Sequence, residues 1–381
     1  MDKVKIRTMN IRAILPSLLL ILPSLVSSAQ AADLPQIPQF IDEMVAKHQF
    51  QRDELIEAFQ RAQHRPAIIK AITLPSTTRP WSEYRASFVN DKRINGGVEF
   101  WLKHEAALLR AEKEYGVPQE IIIAVIGVET IYGQLAGGFR TLDALMTLAF
   151  DFPRRAQFFR SELEHYLLLA REQGWDLLKV PSSYAGAIGI PQFMPSNYRK
   201  IAVDFNGDGK IDLVNDPVDA IGSVANYLKQ YGWIKGAPVA VLAQQTESNL
   251  PGSTLPNEDL PQVNNSTPQN NTSSNPSNLQ IIAASSPAET RTLAAWAQSG
   301  VRSAMTTIGL TMPSMSPPTQ KLPSEQSAQL LTFTINGGGE SWLVFKNFKV
   351  ITLYNNSNFY AMTVHQLAEE IRAKRAQSQS K

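Results

Sequence analysis

Cysteine is absent from all 381 residues. That excludes disulfide staples, thiolate catalysis and a lipid-modified cysteine behind an export signal. Charge of one sign is also scarce: 36 Lys and Arg face 34 Asp and Glu, a formal net charge of +2. A balance so near zero gives no electrostatic case for a nucleic-acid partner, although a weakly basic surface suits an anionic polymer. Beyond the N-terminus no apolar run is long enough to cross a bilayer. What is present is a chain 43% hydrophobic and 18% charged, enough for a sizeable core and more than one structural unit.

The N-terminus has the form of an export signal. Lys3, Lys5, Arg7 and Arg12 precede an apolar stretch from Ala13 to Val26, and Ser27-Ser28-Ala29-Gln30-Ala31 offers an A-x-A cleavage site. The mature chain is expected to begin near Ala32, as a freely soluble exported protein. The alternative is a retained membrane anchor, against which stand the shortness of the stretch and its interruption by Pro16 and Pro23.

Along the rest of the chain, apolar residues recur mostly at helical spacing. Phe40, Ile41, Met44 and Val45, then Leu55, Ile56 and Phe59, predict a helical lead-in over 32–93. The segment 94–243 reads as one mostly helical domain, with helices over Gly97 to Gly116, Thr141–Leu148, Arg155–Gln173 and Pro217–Tyr231. Residues 244–280 are rich in Ser, Thr, Asn, Gln and Pro and predict a flexible polar insertion. Residues 281–381 read as a small mixed α/β subdomain: a helix over Thr292 to Val301, strands at Gln329–Phe333, Ser341–Phe345 and Val350–Leu353, and a closing helix from Ala361 to about Ala376.

One carboxylate stands out. Glu129 ends the run Ile121-Ile122-Ile123-Ala124-Val125-Ile126-Gly127-Val128, with Pro118 near the helix start and Gly133 as its stop. Ile122, Val125 and Ile126 precede it by seven, four and three residues, so its carboxyl leaves the helix beside hydrocarbon. Desolvation and the negative end of the helix dipole both favour the neutral acid, as a general acid near neutral pH requires. The plain alternative is a glutamate reaching to solvent from a helix end.

Two further stretches carry chemistry. Ser183 to Pro195 combines small residues with Gln192, which suits a tight loop where backbone approaches a ligand, or a close-packed turn and nothing more. Asp204-Phe205-Asn206-Gly207-Asp208-Gly209-Lys210-Ile211-Asp212 matches the first nine positions of a calcium loop: oxygen ligands at positions 1, 3 and 5, glycine at 6 and a backbone carbonyl, that of Lys210, at 7. Position 12 departs from that pattern, being Asn215 rather than glutamate, and an Asx-turn loop without an ion is the alternative.

Set in order, Gly127-Val128-Glu129-Thr130-Ile131-Tyr132-Gly133, Phe152-Pro153-Arg154-Arg155, the run Ser183 to Ser196, Ala225-Asn226-Tyr227 and Tyr354-Asn355-Asn356-Ser357-Asn358-Phe359-Tyr360 resemble the membrane-bound lytic murein transglycosylase B family across most of the mature chain. The resemblance implies a mainly α fold, with a lysozyme-like helical catalytic domain and a small C-terminal mixed α/β subdomain flanking a glycan groove. It implies non-hydrolytic cleavage of the bond between N-acetylmuramic acid and N-acetylglucosamine, with Glu129 as the single catalytic acid and then base. Ser183 would assist that carboxyl or the substrate acetamide, and Gln192 would line the groove. Arg154 and Arg155 would meet substrate carboxylates, while Tyr227, Tyr354, Asn355 and Tyr360 would contact sugar. Solvated arginines and packed tyrosines are the alternatives. The resemblance also favours Asp219 as the closing ligand of a structural calcium site with Asp204, Asn206, Asp208 and Lys210. Its remaining implications are peptidoglycan strands as the partner, other cell-wall enzymes as further candidates, and no cofactor for catalysis. The missing lipid-attachment cysteine departs from the membrane-bound members, so with the export signal the expected location is the periplasm, without a lipid anchor. A hydrolytic muramidase and a non-catalytic peptidoglycan-binding protein are the rival functions.

Overall fold

A computed structural model describes residues 34–73, 79–245, 289–303, 322–335 and 338–379. The expected export signal, nearly all of the polar insertion and Gly337 lie outside the described residues.

Three helices lead in: α1 (Ile37–His48), α2 (Arg52–Arg61) and α3 (Pro66–Thr73). Their apolar stripes, Phe40, Ile41 and Met44 on α1 and Leu55 and Phe59 on α2, are buried, as the spacing predicts. Next come α4 (Trp81–Phe88), α5 (Asp91–Lys103) and α6 (Glu105–Tyr115). The single helix expected over Gly97 to Gly116 is thus two, because the backbone at His104 leaves the helical region. Asn90 starts α5 by accepting a hydrogen bond from the Arg93 amide.

The acid-bearing helix is α7 (Gln119–Thr130), buried on all sides along most of its length. It ends where Ile131 enters the left-handed region at φ 51°. β1 (Phe139–Arg140), α8 (Thr141–Asp151) and α9 (Ala156–Gln173) follow, then β2 (Pro181–Ser182), which pairs antiparallel with β1. After the glycine-rich loop stand α10 (Pro195–Ile201) and α11 (Pro217–Gln230), the latter capped by Asp216.

The sheet is built from β3 (Ala240–Gln245), β4 (Thr290–Thr292), β5 (Val301–Ser303), β6 (Ser327–Ile335) and β7 (Gly338–Val344), with α12 (Leu293–Gln298) between β4 and β5. Its order is β4-β6-β7-β3-β5, and the pairs are antiparallel, with Trp342 opposite both Leu331 and Leu242. Two helices close the chain, α13 (Lys346–Tyr354) and α14 (Asn358–Gln379).

The strand expected at Val350–Leu353 is therefore part of α13. Its β-branched residues favour a strand locally, but Asn347 ties the first turn of α13 to the segment after α11. The Asn347 side chain accepts from the Ile234 amide at 2.9 Å and donates to the Ile234 and Ala237 carbonyls at 2.9 and 2.8 Å. Phe348 and Ile351 then fall three residues apart on the buried side.

One core runs from Ile37 of α1 to Ile371 of α14, and a smaller one, Val241, Trp296, Val301, Ala328, Leu343 and Phe345, sits against the sheet. α14 packs on α7 and α5, and β3 supplies an inner strand of the sheet. The last two helices complete the body that holds Glu129.

Candidate active site

Glu129 emerges from the last turn of α7, whose Ile122, Val125 and Ile126 are buried, into a partly open setting. Its Oε1 accepts a hydrogen bond from the hydroxyl of Tyr360, on α14, at 2.7 Å. Burial pushes the carboxyl up to about 7, and the Tyr360 bond, which favours the ionised form, only partly opposes that. No second carboxylate acts on it among the described residues. The group can therefore give and take a proton near neutral pH.

Tyrosines surround it. The Tyr354 ring stacks on Tyr360 at 6.3 Å and 12°. Burial raises both hydroxyls well above the usual phenol range, and the Glu129 charge adds to this. Tyr84 of α4 is pushed up to about 12, again by burial first and by Glu129 second. Tyr84 was not expected at the site. The signal was there: Trp81, Tyr84 and Phe88 recur at helical spacing on α4, an aromatic face that packs at Phe359 beside Tyr360.

The Ser183 loop is held against the end of α7. Thr130 donates to the Ile190 carbonyl at 2.8 Å, and Tyr354 donates to the Pro191 carbonyl at 2.6 Å. Ser183 Oγ accepts from the Ala185 and Ala187 amides at 3.3 and 3.1 Å, which leaves its proton to offer. The small residues are also needed for packing: at Gly186, with φ +82°, an added Cβ would stand 2.3 Å from the Leu145 side chain. Gln192 sits at φ +54°, and its amide nitrogen donates to the Gly189 and Ala136 carbonyls at 2.8 and 3.3 Å. Its side-chain oxygen remains available to a ligand.

Other expected residues are placed differently. Tyr227 is buried, with its hydroxyl donating to the Leu353 carbonyl at 2.7 Å and its ring 4.7 Å from Tyr354. It packs beneath the site and has no open face comparable to that of a sugar platform. Asn355 is exposed at the end of α13. Arg154 and Arg155 are exposed in a 3-10 turn over Pro153–Arg155, and the Arg155 guanidinium lies 4.3 Å from the Phe158 ring centre. No ion pair or hydrogen bond joins either arginine to Glu129 among the described residues.

The acidic loop is ordered by its own hydrogen bonds. Asp204 accepts from the Gly207, Asp208 and Gly209 amides at 2.7 to 3.2 Å, Asn206 from Asp208 at 2.8 Å, and Asp208 from Lys210 at 2.9 Å. Asp219, 1% exposed, has both oxygens on backbone amides, those of Phe205, Asn206 and Asp212. Among the described residues no three His, Asp or Glu side chains converge as a cation cage. The donor set nevertheless fits a hard cation, because side-chain oxygens at 204, 206 and 208 and the Lys210 carbonyl share a loop turned by Gly209 at φ +87°.

The body is mainly α, with Glu129 at the end of a buried helix, and its fold is lysozyme-like. The chain belongs to the transglycosylase SLT domain family, whose model matches residues 33–369. It is 40% identical over 356 residues to the membrane-bound lytic murein transglycosylase B of Escherichia coli (strain K12), covering 91% of this chain and 85% of that protein. Its structure is similar to that of the soluble lytic transglycosylase of Pseudomonas aeruginosa, with a TM-score of 0.72, 40% identity, and 90% and 100% of the two chains covered. It is equally similar to an Escherichia coli lytic transglycosylase solved in complex with calcium, with a TM-score of 0.72, 37% identity, and 94% and 100% covered.

Proposed function

We propose that this chain is a lytic transglycosylase that cleaves the β-1,4 bond between N-acetylmuramic acid and N-acetylglucosamine in peptidoglycan without using water. The observation that carries this reading is Glu129 at the end of a buried helix, a carboxyl that burial raises to about 7 and on which, among the described residues, no second carboxylate acts. Ordinary glycosidases need two carboxylates; one suffices when the substrate supplies its own nucleophile. Glu129 donates its proton to the leaving glycosidic oxygen as the bond to C1 breaks. It then takes the proton from the C6 hydroxyl of the same muramic acid as that oxygen bonds to C1, closing a 1,6-anhydro ring. The proton count balances and no water is consumed.

Tyr360 holds the carboxyl in place through its hydroxyl. Ser183 and Gln192 offer a donor and an acceptor to the sugar acetamide or hydroxyls. Arg154, Arg155 and Asn355 are exposed and free to meet the lactyl or peptide portions. Calcium, held by Asp204, Asn206, Asp208 and Lys210 with Asp219 buttressing the loop, would stiffen the segment and supply no chemistry to the reaction. The export signal read at residues 1–31 supports a periplasmic location, which fractionation without detergent tests. No described helix is long and apolar enough to cross a membrane.

The test is digestion of purified sacculi by the wild type and by Glu129→Gln. The wild type is expected to release soluble muropeptides and the variant none. Equal release by both would overturn the reading.

A further inference from the structure

We propose that Thr130 is a positioning residue for this reaction: its hydroxyl locks the Ser183–Pro195 loop to the end of the acid-bearing helix and so fixes the wall beside Glu129. The proposal rests on the reading of Glu129 as the acid.

Thr130 is 0% exposed. A threonine near a helix end usually returns its proton to the carbonyl four residues back. Here that contact, to Ile126, is 3.4 Å, whereas the Ile190 carbonyl of the loop is at 2.8 Å. The same oxygen accepts from the Gly133 amide at 2.9 Å, across a two-residue turn. That turn is costly, because Ile131 and Tyr132 both lie in the left-handed region, at φ 51° and 59°, and Ile131 is β-branched. It is held from both sides. Tyr132 donates its hydroxyl to the Arg93 carbonyl at 2.6 Å, and Arg93 donates to the Gly127 carbonyl at 2.9 Å. A strained turn so heavily tied persists only where its surroundings over-determine it.

The loop has other anchors, among them the Ile190 amide, which donates to the Leu213 carbonyl at 2.7 Å, and the Gln192 bond to Ala136. Tyr354 holds the Pro191 carbonyl, and Glu162, buried in α9, accepts from the Ser196 amide and hydroxyl at 2.9 and 2.6 Å. Thr130 is the anchor adjacent in sequence to the acid. Without its hydroxyl, the Ile190 carbonyl and Gly133 amide lose their shared partner, the loop parts from α7, and water reaches a carboxyl that burial keeps neutral.

The experiment compares Thr130→Ala, Thr130→Val and Thr130→Ser on purified sacculi, with Glu129→Gln alongside, reading kcat, KM, pH profile and Tm. The Ala and Val variants are expected to lose about tenfold or more in kcat, the worth of one hydrogen bond of about 1.4 kcal/mol. Their basic pH limb moves toward the ordinary carboxylate range, and the Ser variant restores both. Amide exchange over 188–193 should quicken in the Ala variant while α9 stays protected, a readout that needs no catalysis. Wild-type kcat and pH limb in a folded Ala variant, unchanged exchange, a loss that tracks Tm alone, or a Ser variant as poor as Ala each overturn the proposal. An active Glu129→Gln would instead overturn the reading beneath it.

Discussion

Glu129 is a residue tuned at the expense of stability. Its carboxyl titrates at about 7 in the folded chain against 4.5 in an ordinary setting. A raised carboxyl contributes stability that is complete below about 4.5 and is lost as pH rises through about 7. By about pH 8 the ionised buried group costs up to about 3 kcal/mol. Glu129→Gln should therefore abolish activity yet raise Tm relative to wild type at about pH 8, with a smaller advantage at about pH 5. Thermal melts at the two values check this. The acid must hold its proton for the first step, so wild-type kcat/KM should fall as pH rises above about 7. Tyr360→Phe removes the donor that favours the ionised form, so that limb should move to higher pH while kcat falls about tenfold. A limb that stays in place would show that Tyr360 does not act on the acid.

At the scale of elements, helices were legible in the chain and their junctions less so. The apolar spacing of α1, α2 and α9 dictates buried stripes wherever those helices pack, and the nearly unbroken apolar run of α7 dictates burial all round. Val350 to Leu353 reads as a strand because β-branching is a local signal, whereas Asn347 binds residues more than a hundred positions away. Tyr84 belongs to an aromatic face that the spacing of α4 makes legible, but only the fold brings that face to Phe359. Gly137 shows a different constraint, visible only in three dimensions. It holds φ +107°, and a Cβ there would stand 2.1 Å from the Ser182 carbonyl. Gly137→Ala should part β1 from β2, the pair that launches the Ser183 loop, costing more than about 2 kcal/mol by denaturant unfolding and lowering activity. On α14, His365 is buried against Trp342 with both ring nitrogens unpartnered among the described residues. Burial, with Arg372 adding, pushes it down to about 4. Its contribution to stability is complete above about 6.5 and lost as pH falls toward 4, opposite in sign to that of Glu129. His365→Leu should flatten the acid side of the Tm profile and leave the alkaline side unchanged.

For the whole molecule, the last two helices matter most. α14 threads back to pack on α7 and carries Tyr360 to the acid, so a chain cut at about 243 would leave Glu129 without its hydrogen-bond partner. Sequence order hid this, since 231 positions separate the two residues. The acidic loop lies on the same body, ahead of α11. If calcium fills it, chelation should lower Tm by several degrees and added calcium restore it, since a ligand at a hundredfold its Kd stabilises by about 2.7 kcal/mol. Asp208→Ala should abolish that response. The central claim is that the substrate attacks itself, and one measurement reaches it directly. Sacculi digested in heavy-oxygen water and analysed by mass spectrometry should yield anhydro-muramic ends lighter by one water and free of the label. Reducing ends carrying the heavy oxygen would contradict it and make the chain a hydrolase.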